Sequence, residues 1–267
     1  MATLSNLDNN RFIAILYGKP KTGKTVLASQ FPSPWFIDID NGLGSVMTAK
    51  SNYNLNFDFD VTQITEDVTE DEDFIKLCGK SFARQDAWTK VKKIVSILMR
   101  KMPKDSTLVI DSLTRVSEYL IRWIQKTGNI KQLRIQDWGI FAEEMSYFFN
   151  LLLSSNSQCN CIVIAHETVN KDELTGAIER AIAVPGKTAN TVPGLVDEFW
   201  YMTAETKGTK SNRKTVRILQ TTNDRITNAG SRCWMPDIEN PTYDKIKPYL
   251  EKSLGRKLPE ATWTIPE

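Results

Sequence analysis

Apolar stretches alternate with amphipathic stretches along this chain, in the order typical of an α/β fold. The apolar runs that predict buried strands lie at 11–17, 34–38, 107–110 and 161–165. The segments with helical periodicity lie at 23–30, 86–102, 113–126 and 137–153. In the second of these, an apolar stripe is formed by Trp88, Val91, Ile94, Val95 and Leu98. The order predicts a mostly parallel sheet with helices on both faces.

The remaining segments have weaker patterns. Residues 41–85 are polar and acidic, with faint strand signals near 57–64, and predict an exposed, irregular excursion. Loops are predicted at 127–134 and 167–194. Antiparallel strands are predicted at 198–202 and 215–221, and a C-terminal helix at 243–254 that ends at Gly255. Without an internal repeat or linker, we expect one domain, residues 1–267, with a core at 11–235 and a C-terminal helix and tail at 236–267.

Composition narrows the class of protein. The chain has 267 residues, of which 41% are hydrophobic and 25% charged, values ordinary for a soluble globular protein. No apolar run approaches the length of a membrane span, and the N-terminus lacks signal-peptide character, so a cytoplasmic location without membrane association is expected. Four cysteines are too few for a disulfide scaffold. Cys159-Asn-Cys161 has no second cysteine pair to complete a metal site, and Cys161 is expected to pack as a small buried residue.

Charge is unevenly distributed although the net charge is only +2. Eight acidic and no basic residues lie between Asp58 and Asp73, which we interpret as a solvated surface. Nine basic residues and one acidic residue lie between Lys76 and Lys104, and a second basic cluster spans 207–217. For these basic segments both a solvated surface and a nucleic-acid contact are open.

The segment Gly18 to Thr25 matches the phosphate-binding pattern G-x-x-x-x-G-K-[ST] in full. A predicted strand precedes it and a predicted helix follows it, which is the context the pattern requires. The residues expected to contact the nucleotide are Gly18, Lys19, Pro20, Lys21, Thr22, Gly23, Lys24, Thr25 and Val26. Lys24 is expected to reach the β- and γ-phosphates, and the Thr25 hydroxyl to bind Mg²⁺. The sequence therefore predicts binding of a nucleoside triphosphate.

Three further strand ends carry polar residues. Asp111 ends the strand 107–110 and is the expected carboxylate for Mg²⁺, while Ser112 is a candidate helix N-cap. Asp40 follows the strand 34–38 and is a candidate to orient the water that attacks the γ-phosphate. For Asp38 a turn or supporting role is as well supported as a catalytic one.

The single histidine of the chain, His166, ends the strand 161–165. At that sheet edge it is a candidate sensor of the γ-phosphate. Glu167, beside it, either shares this role or begins a loop. Lone histidines are more often structural, so the functional interpretation depends on the neighbouring motifs.

Together these segments resemble the RecA-like P-loop NTPase core, over residues 11–235. The resemblance implies that Asp40, in Phe36-Ile-Asp-Ile-Asp-Asn-Gly-Leu43, is the catalytic carboxylate and that Asp111 belongs to the Walker B strand. His166 stands where this family usually has glutamine. The segment from His166 onward is more specifically similar to small phage RecA-like ATPases of the Sak recombinase type, which implies a role in recombination, annealing or replication.

The resemblance also implies shared active sites and DNA contacts. Arg232, in Asn228-Ala-Gly-Ser-Arg232, is the candidate finger that enters a neighbouring subunit's site in a ring or filament, with Arg225 as the alternative; Gly230 replaces the family's lysine. Single-stranded DNA would contact loops at 127–134 and 168–190, through Lys131, Arg134, Lys171, Arg180 and Lys187. A single-strand-binding protein is a further candidate partner. Ordinary surface roles for these residues remain the alternative.

The leading hypothesis is therefore a DNA-stimulated ATPase that uses ATP and Mg²⁺. ATP is the default nucleotide because no guanine-specific motif has the required spacing and strand context. A P-loop small-molecule kinase is one alternative, although no Arg-rich lid is evident. A nucleotide-gated interaction module with little turnover is another. A helicase or packaging motor uses the same fold, but no additional DNA-handling domain is evident.

Overall fold

A computed structural model describes residues 11–68, 71–154, 156–171, 176, 178–208 and 213–265. In these ranges the strands are β1 (Ile13–Gly18), β2 (Pro34–Asp38), β3 (Asp60–Gln63), β4 (Thr107–Asp111), β5 (Asn160–Lys171), β6 (Ile178–Ile182), β7 (Glu198–Lys207), β8 (Lys214–Gln220), β9 (Gly230–Ser231) and β10 (Ile238–Glu239). The α-helices are α1 (Lys24–Ala28), α2 (Gly44–Asn52), α3 (Glu72–Cys78), α4 (Lys80–Ala83), α5 (Ala87–Lys101), α6 (Leu113–Gly128), α7 (Ile135–Leu152), α8 (Thr188–Thr191) and α9 (Tyr243–Leu254).

The main sheet has the strand order β10-β8-β7-β1-β5-β4-β2-β3. The strands from β7 to β3 are parallel, whereas β8 and β10 are antiparallel to their neighbours. The predicted fold class, a mostly parallel sheet flanked by helices with antiparallel C-terminal strands, is therefore confirmed. Its register aligns Gly18 with His166 and Asp38 with Asp111. The polar residues predicted at strand ends consequently share one edge.

Two apolar layers cover the sheet. One contains the predicted α5 stripe, whose five residues are all buried, together with apolar residues of α6 and α7. The other contains residues of α1 and α9, including Leu27 and Ile246. Every residue of β1 and β4 is buried, as expected for strands covered on both faces. All four cysteines are free and buried, and Cys161 packs in the core as expected.

The segment 41–85 is more ordered than its composition predicts. It contains α2, β3, α3 and α4 within the ranges described, and Phe74 and Ile64 are buried. Part of the acidic run begins a helix: the Asp71 side chain accepts a hydrogen bond from Phe74 N at 2.8 Å and caps α3. The prediction of an exposed, irregular excursion is therefore wrong, because sparse apolar residues and a helix cap supply the order.

The prediction of a loop at 167–194 is also wrong. Strand β5 continues to Lys171 and pairs antiparallel with β6, and α8 follows. Residues 172–175 and 177 lie outside the described ranges. The predicted loop at 127–134 is shortened, because α6 ends at Gly128 and α7 begins at Ile135. The hairpin of β7 and β8 and the helix α9 agree with prediction, and Gly255 adopts a left-handed conformation at the end of α9.

None of the helices in the described part of the chain has the length and apolar character needed to cross a membrane.

Candidate active site

The phosphate-binding segment joins the end of β1 to α1, and close packing makes its glycines necessary. A Cβ on Gly18 would lie 2.1 Å from Met202 O, and Gly18 has a φ of 150°. Gly23 has a φ of 103°, and a Cβ there would lie 3.0 Å from Arg217 Nε. A side chain at Gly18 would collide with the backbone of β7, whereas the positive φ of Gly23 favours glycine at that position. The sheet therefore fixes the course of the loop from behind.

Lys24 lies in the centre of the site. It is 5% exposed, and its Nζ donates hydrogen bonds to Gly18 O at 2.9 Å and Lys19 O at 2.7 Å. Burial lowers the pKa of Lys24 to about 8, although the negative charges of Asp111, Glu167 and Asp40 oppose this shift. The ammonium group is held by backbone carbonyls beside three carboxylates, so it is available to an incoming polyphosphate.

Thr25 and Asp111 form the predicted metal-binding pair. The Thr25 hydroxyl donates a hydrogen bond to Asp111 Oδ2 at 2.7 Å, across α1 and β4. Asp111 is 4% exposed, and burial raises its pKa to about 6 despite this hydrogen bond. A Cβ on Gly42 would lie 3.0 Å from Asp111 Oδ2 and 3.5 Å from Thr25 Oγ1. The glycine therefore leaves space directly beside both oxygens.

This oxygen pair fits Mg²⁺. The ion prefers hard oxygen ligands and, in phosphate-binding sites, usually takes only one or two from the protein. Clusters of three or more His, Cys, Asp or Glu residues that would hold a metal by themselves are absent from the described residues. The space beside Thr25 and Asp111 agrees with a metal bound jointly by protein, phosphate oxygens and water.

Asp40 is surrounded by hydrogen-bond donors. Its Oδ2 accepts a hydrogen bond from Ser112 Oγ at 2.6 Å and lies 3.1 Å from His166 Nε2, while its Oδ1 lies 3.4 Å from Arg115 Nε. Burial alone would raise the pKa of Asp40, but the hydrogen bonds from His166 and Ser112 and the charge of Arg115 hold it below its usual value. Asp40 is therefore a carboxylate at neutral pH, with both oxygens engaged.

Asp38 has a different role. It is 2% exposed, its Oδ1 accepts a hydrogen bond from Gly42 N at 3.1 Å, and burial raises its pKa. This geometry agrees with the turn role, because the carboxylate is directed at the backbone that leads into α2. Asp38 thereby orders the glycine segment beside Thr25 and Asp111.

His166 and Glu167 flank the same edge from β5. His166 is aligned with Gly18, and its backbone N–H donates to Thr114 Oγ1 at 3.0 Å. Glu167 lies close enough to Lys24 to influence its titration and accepts a hydrogen bond from Tyr201. Both predicted residues are thus beside the phosphate-binding loop, and the sensor role of His166 stays a prediction.

The side chains of Lys24, Thr25, Asp40, Asp111 and His166 line a cleft of about 820 Å³. Two of its lining residues, Arg115 and Arg217, were missed by sequence reasoning. Arg115 lies in the first turn of α6 and contacts Asp40, and Arg217 Nε donates to Thr22 O at 3.1 Å from β8. The sequence feature that could have pointed to Arg115 is its position four residues after Asp111, at the start of the helix that follows this strand. Arg217 was noted only as part of the basic cluster 207–217, and the pairing of β8 with β7 brings it to the loop.

Arg232 lies away from this cleft within the same chain. Its guanidinium pairs with Asp197 at 2.7 Å, and Asp197 Oδ2 accepts a hydrogen bond from Ile13 N. Ile13 begins β1, so Arg232 is near the opposite end of that strand from Gly18. Arg225 is exposed between β8 and β9. Either arginine would act only in a neighbouring subunit, and a role there stays a prediction.

The candidate DNA contacts divide into two groups. Lys131, Lys171 and Lys187 are exposed. Arg134 instead pairs with Asp137 at the start of α7, and Arg180 lies over the Tyr201 ring and donates to Thr227 Oγ1. Gly186, in the second predicted segment, lies against α7, because a Cβ there would lie 3.9 Å from the ring of Trp138.

Comparison with known proteins identifies the family. Residues 10–233 match the AAA domain, which covers more than half of the chain. No curated protein matches. A solved structure of a prototypical ATPase from the type III secretion system of pathogenic bacteria is 13% identical, with a TM-score of 0.42. The match covers 72% of this chain but only 52%, about half, of that ATPase. With its phosphate-binding loop, Thr25–Asp111 pair and AAA-domain match, the chain belongs to the AAA domain family of P-loop ATPases.

Proposed function

We propose that this protein is a Mg²⁺-dependent ATPase of RecA-like organisation that acts on single-stranded DNA. The observation that carries the ATPase part is the convergence of Lys24, Thr25, Asp111 and Asp40 on one sheet edge inside a single cleft. Phosphoryl transfer to water requires a cation, a hydroxyl and a carboxylate at the metal, and a second carboxylate for the water. These four residues supply those groups.

Each of these residues has a distinct task in hydrolysis. Lys24 would exchange its carbonyl partners for phosphate oxygens, which offer stronger, charge-assisted hydrogen bonds. Thr25 and Asp111 would hold Mg²⁺, which supplies charge stabilisation at the β- and γ-phosphates. Asp40 is ionised and would orient the attacking water, while Ser112 and His166 fix the direction of its carboxylate.

The DNA part of the proposal rests on charge and position. Lys131, Lys171 and Lys187 are exposed cations on the two predicted DNA-binding segments, and such side chains give sequence-independent phosphate contacts. We further propose that the chain forms a single domain and assembles into a homo-oligomeric ring or filament. In this assembly, Arg232 or Arg225 would reach the active site of the next subunit. Recombination or annealing, in the manner of the Sak-type phage ATPases that the sequence resembles, is the process that this arrangement would serve.

A nucleotide-gated interaction module with little turnover is a second candidate function. One observation favours it: both oxygens of Asp40 already contact side chains of the protein, namely Ser112, His166 and Arg115. Turnover would then require these contacts to rearrange when nucleotide binds. Tight ATP binding without hydrolysis, with and without DNA, would favour this second function.

The test compares hydrolysis by the wild-type protein, Lys24→Ala and a matched control, Lys126→Ala, whose side chain is exposed at the end of α6. ATP and Mg²⁺ are supplied with water as the only acceptor. We expect release of phosphate from the wild type and Lys126→Ala and at least a 100-fold loss in Lys24→Ala, of the order seen when one charge-stabilising group is removed. Equal rates for Lys24→Ala would contradict the proposal, and a requirement for an added acceptor would indicate a kinase.

A further inference from the structure

Charged and uncharged side chains both line the cleft. Lys24, Asp40 and Asp111, here called the charged end, lie where phosphates and metal are expected. The uncharged lining residues include Gln30, Ala49, Asn52, Tyr53, Pro241 and Ile265. Tyr53 is 47% exposed and Ile265 is 37% exposed, so apolar surface faces solvent there. A ligand that fills the cleft would need a charged part and an uncharged, partly apolar part.

Part of this uncharged wall comes from a distant piece of sequence. Residues Thr262 to Ile265, here called the C-terminal strap, return from α9 to the end of α1. Thr262 N donates a hydrogen bond to Gln30 O at 2.9 Å, and Thr262 Oγ1 donates to Phe31 O at 2.7 Å. Thr262 Oγ1 also accepts from Ser33 N at 3.0 Å. Three hydrogen bonds from one residue therefore attach the strap to the connection between α1 and β2.

Trp263 fixes the next part of the strap. It is 5% exposed, and its Nε1 donates to Ser29 Oγ, at the C-cap of α1, at 3.1 Å. Its ring stacks on Phe57 with a centroid distance of 5.0 Å and an interplanar angle of 6°. Burial of an aromatic ring between these partners anchors the backbone strongly. Ile265, two residues later, is consequently held at the cleft rather than in free solvent.

We propose that the C-terminal strap forms the nucleoside end of the binding site. Ile265 contacts the uncharged base and ribose of the nucleoside triphosphate, and Trp263 is a positioning residue that acts through Ile265. The chemical basis is the removal of apolar surface on Ile265 and Tyr53 from water when a planar base covers it. This inference rests on the proposed function, because the phosphates must occupy the charged end for the base to reach the strap.

The test separates the nucleoside from the phosphates by comparing two probes, ATP and inorganic tripolyphosphate, each with Mg²⁺. Binding is measured for the full-length wild type, Ile265→Asn and a matched control, Ile226→Asn. Ile226 is 42% exposed and does not line the cleft. We expect Ile265→Asn to raise the Kd for ATP about fivefold and to leave the Kd for tripolyphosphate unchanged, as expected for the loss of one apolar contact. Ile226→Asn should change neither.

Trp263 is tested with a rescue. Trp263→Ala should weaken the binding of ATP but not the binding of tripolyphosphate. Trp263→Phe, which retains the stack on Phe57, should restore most of the affinity for ATP. If Trp263→Ala shows no thermal unfolding transition, the variant is not folded, and the binding measurements on Ile265→Asn alone decide the proposal, because Ile265 is partly exposed. Equal weakening of both probes, or unchanged ATP binding in Ile265→Asn, would overturn the proposal. If the wild type binds neither probe, the proposed function itself fails, and the assignment of the strap fails with it.

Discussion

Replacing Asp111 with asparagine should stabilise the nucleotide-free fold while it removes activity. Burial raises the pKa of Asp111 from 3.8 to about 6, so the charged form is disfavoured in the folded state. At about 1.4 kcal/mol per pKa unit, ionised Asp111 costs the folded protein about 3 kcal/mol at neutral pH. Asparagine is nearly isosteric and can still accept the hydrogen bond from Thr25.

The net gain should be smaller than this cost. Asp111 also provides a negative charge beside Lys24, and its loss makes the buried ammonium less favourable. We therefore expect Asp111→Asn to raise the free energy of unfolding by about 1–3 kcal/mol at pH 7.5, or Tm by about 2–4 °C for each kcal/mol. ATP hydrolysis should fall sharply, since the metal-binding pair loses its carboxylate.

The pH dependence makes this prediction specific. Because the folded-state pKa is raised, the stabilising contribution of protonated Asp111 is complete below about pH 4 and is lost as the pH rises through about 6. The advantage of Asp111→Asn over wild type should therefore be small at pH 4 and complete above about pH 6. Urea unfolding from pH 4 to 7.5 measures it, with Asp58→Asn, an exposed carboxylate, as control. A variant that is no more stable at pH 7.5, or a gain independent of pH, would refute the reasoning.

Three further changes give separate outcomes. Asp40→Asn should leave the Kd for ATP unchanged and lower the rate of hydrolysis about 100-fold or more, as measured by single-turnover kinetics. Unchanged turnover would assign the orientation of the attacking water to a neighbour such as Glu167. Arg115→Gln should raise the pKa of Asp40 and shift the acidic limb of the rate–pH profile upward, whereas Arg122→Gln, on the same helix, should not. An unshifted limb would show that the Arg115 contact is incidental. Lys171→Glu should weaken the binding of single-stranded DNA and lower by about 1 the slope of log affinity against log salt concentration, while the ATPase activity without DNA stays unchanged. Unchanged DNA binding would show that the β5–β6 hairpin is not part of the DNA-binding surface.

The central part of the site could be predicted because its signals are local. A glycine, lysine and threonine at fixed spacing specify the phosphate-binding loop, and Asp111 was identified because it ends an apolar strand that follows this loop and an intervening helix. Parallel register then brings these groups together without further information. Arg217 could not be found in this way, since its contact with Thr22 depends on the pairing of β8 with β7. The same holds for Trp263, whose partners are distant in sequence.

The helices and the strand of the acidic segment 41–85 could not be predicted from the spacing of apolar residues either. Helix α3 is short, with one cap by Asp71 and one pair of buried side chains, Phe74 and Cys78. Neither produces the repeated apolar spacing on which sequence interpretation relies. The polar β5–β6 hairpin has the same cause, because backbone pairing, rather than apolar alternation, defines it.

The most direct test of the account is steady-state ATP hydrolysis by the wild type and Lys24→Ala, with and without single-stranded DNA, across a dilution series. We predict that DNA stimulates the wild type, that the rate per subunit falls steeply on dilution, and that Lys24→Ala stays inactive throughout. Hydrolysis by Lys24→Ala at the wild-type rate would contradict the assigned site. A wild-type rate per subunit that is insensitive to both DNA and dilution would contradict shared active sites on DNA and leave a self-contained P-loop enzyme.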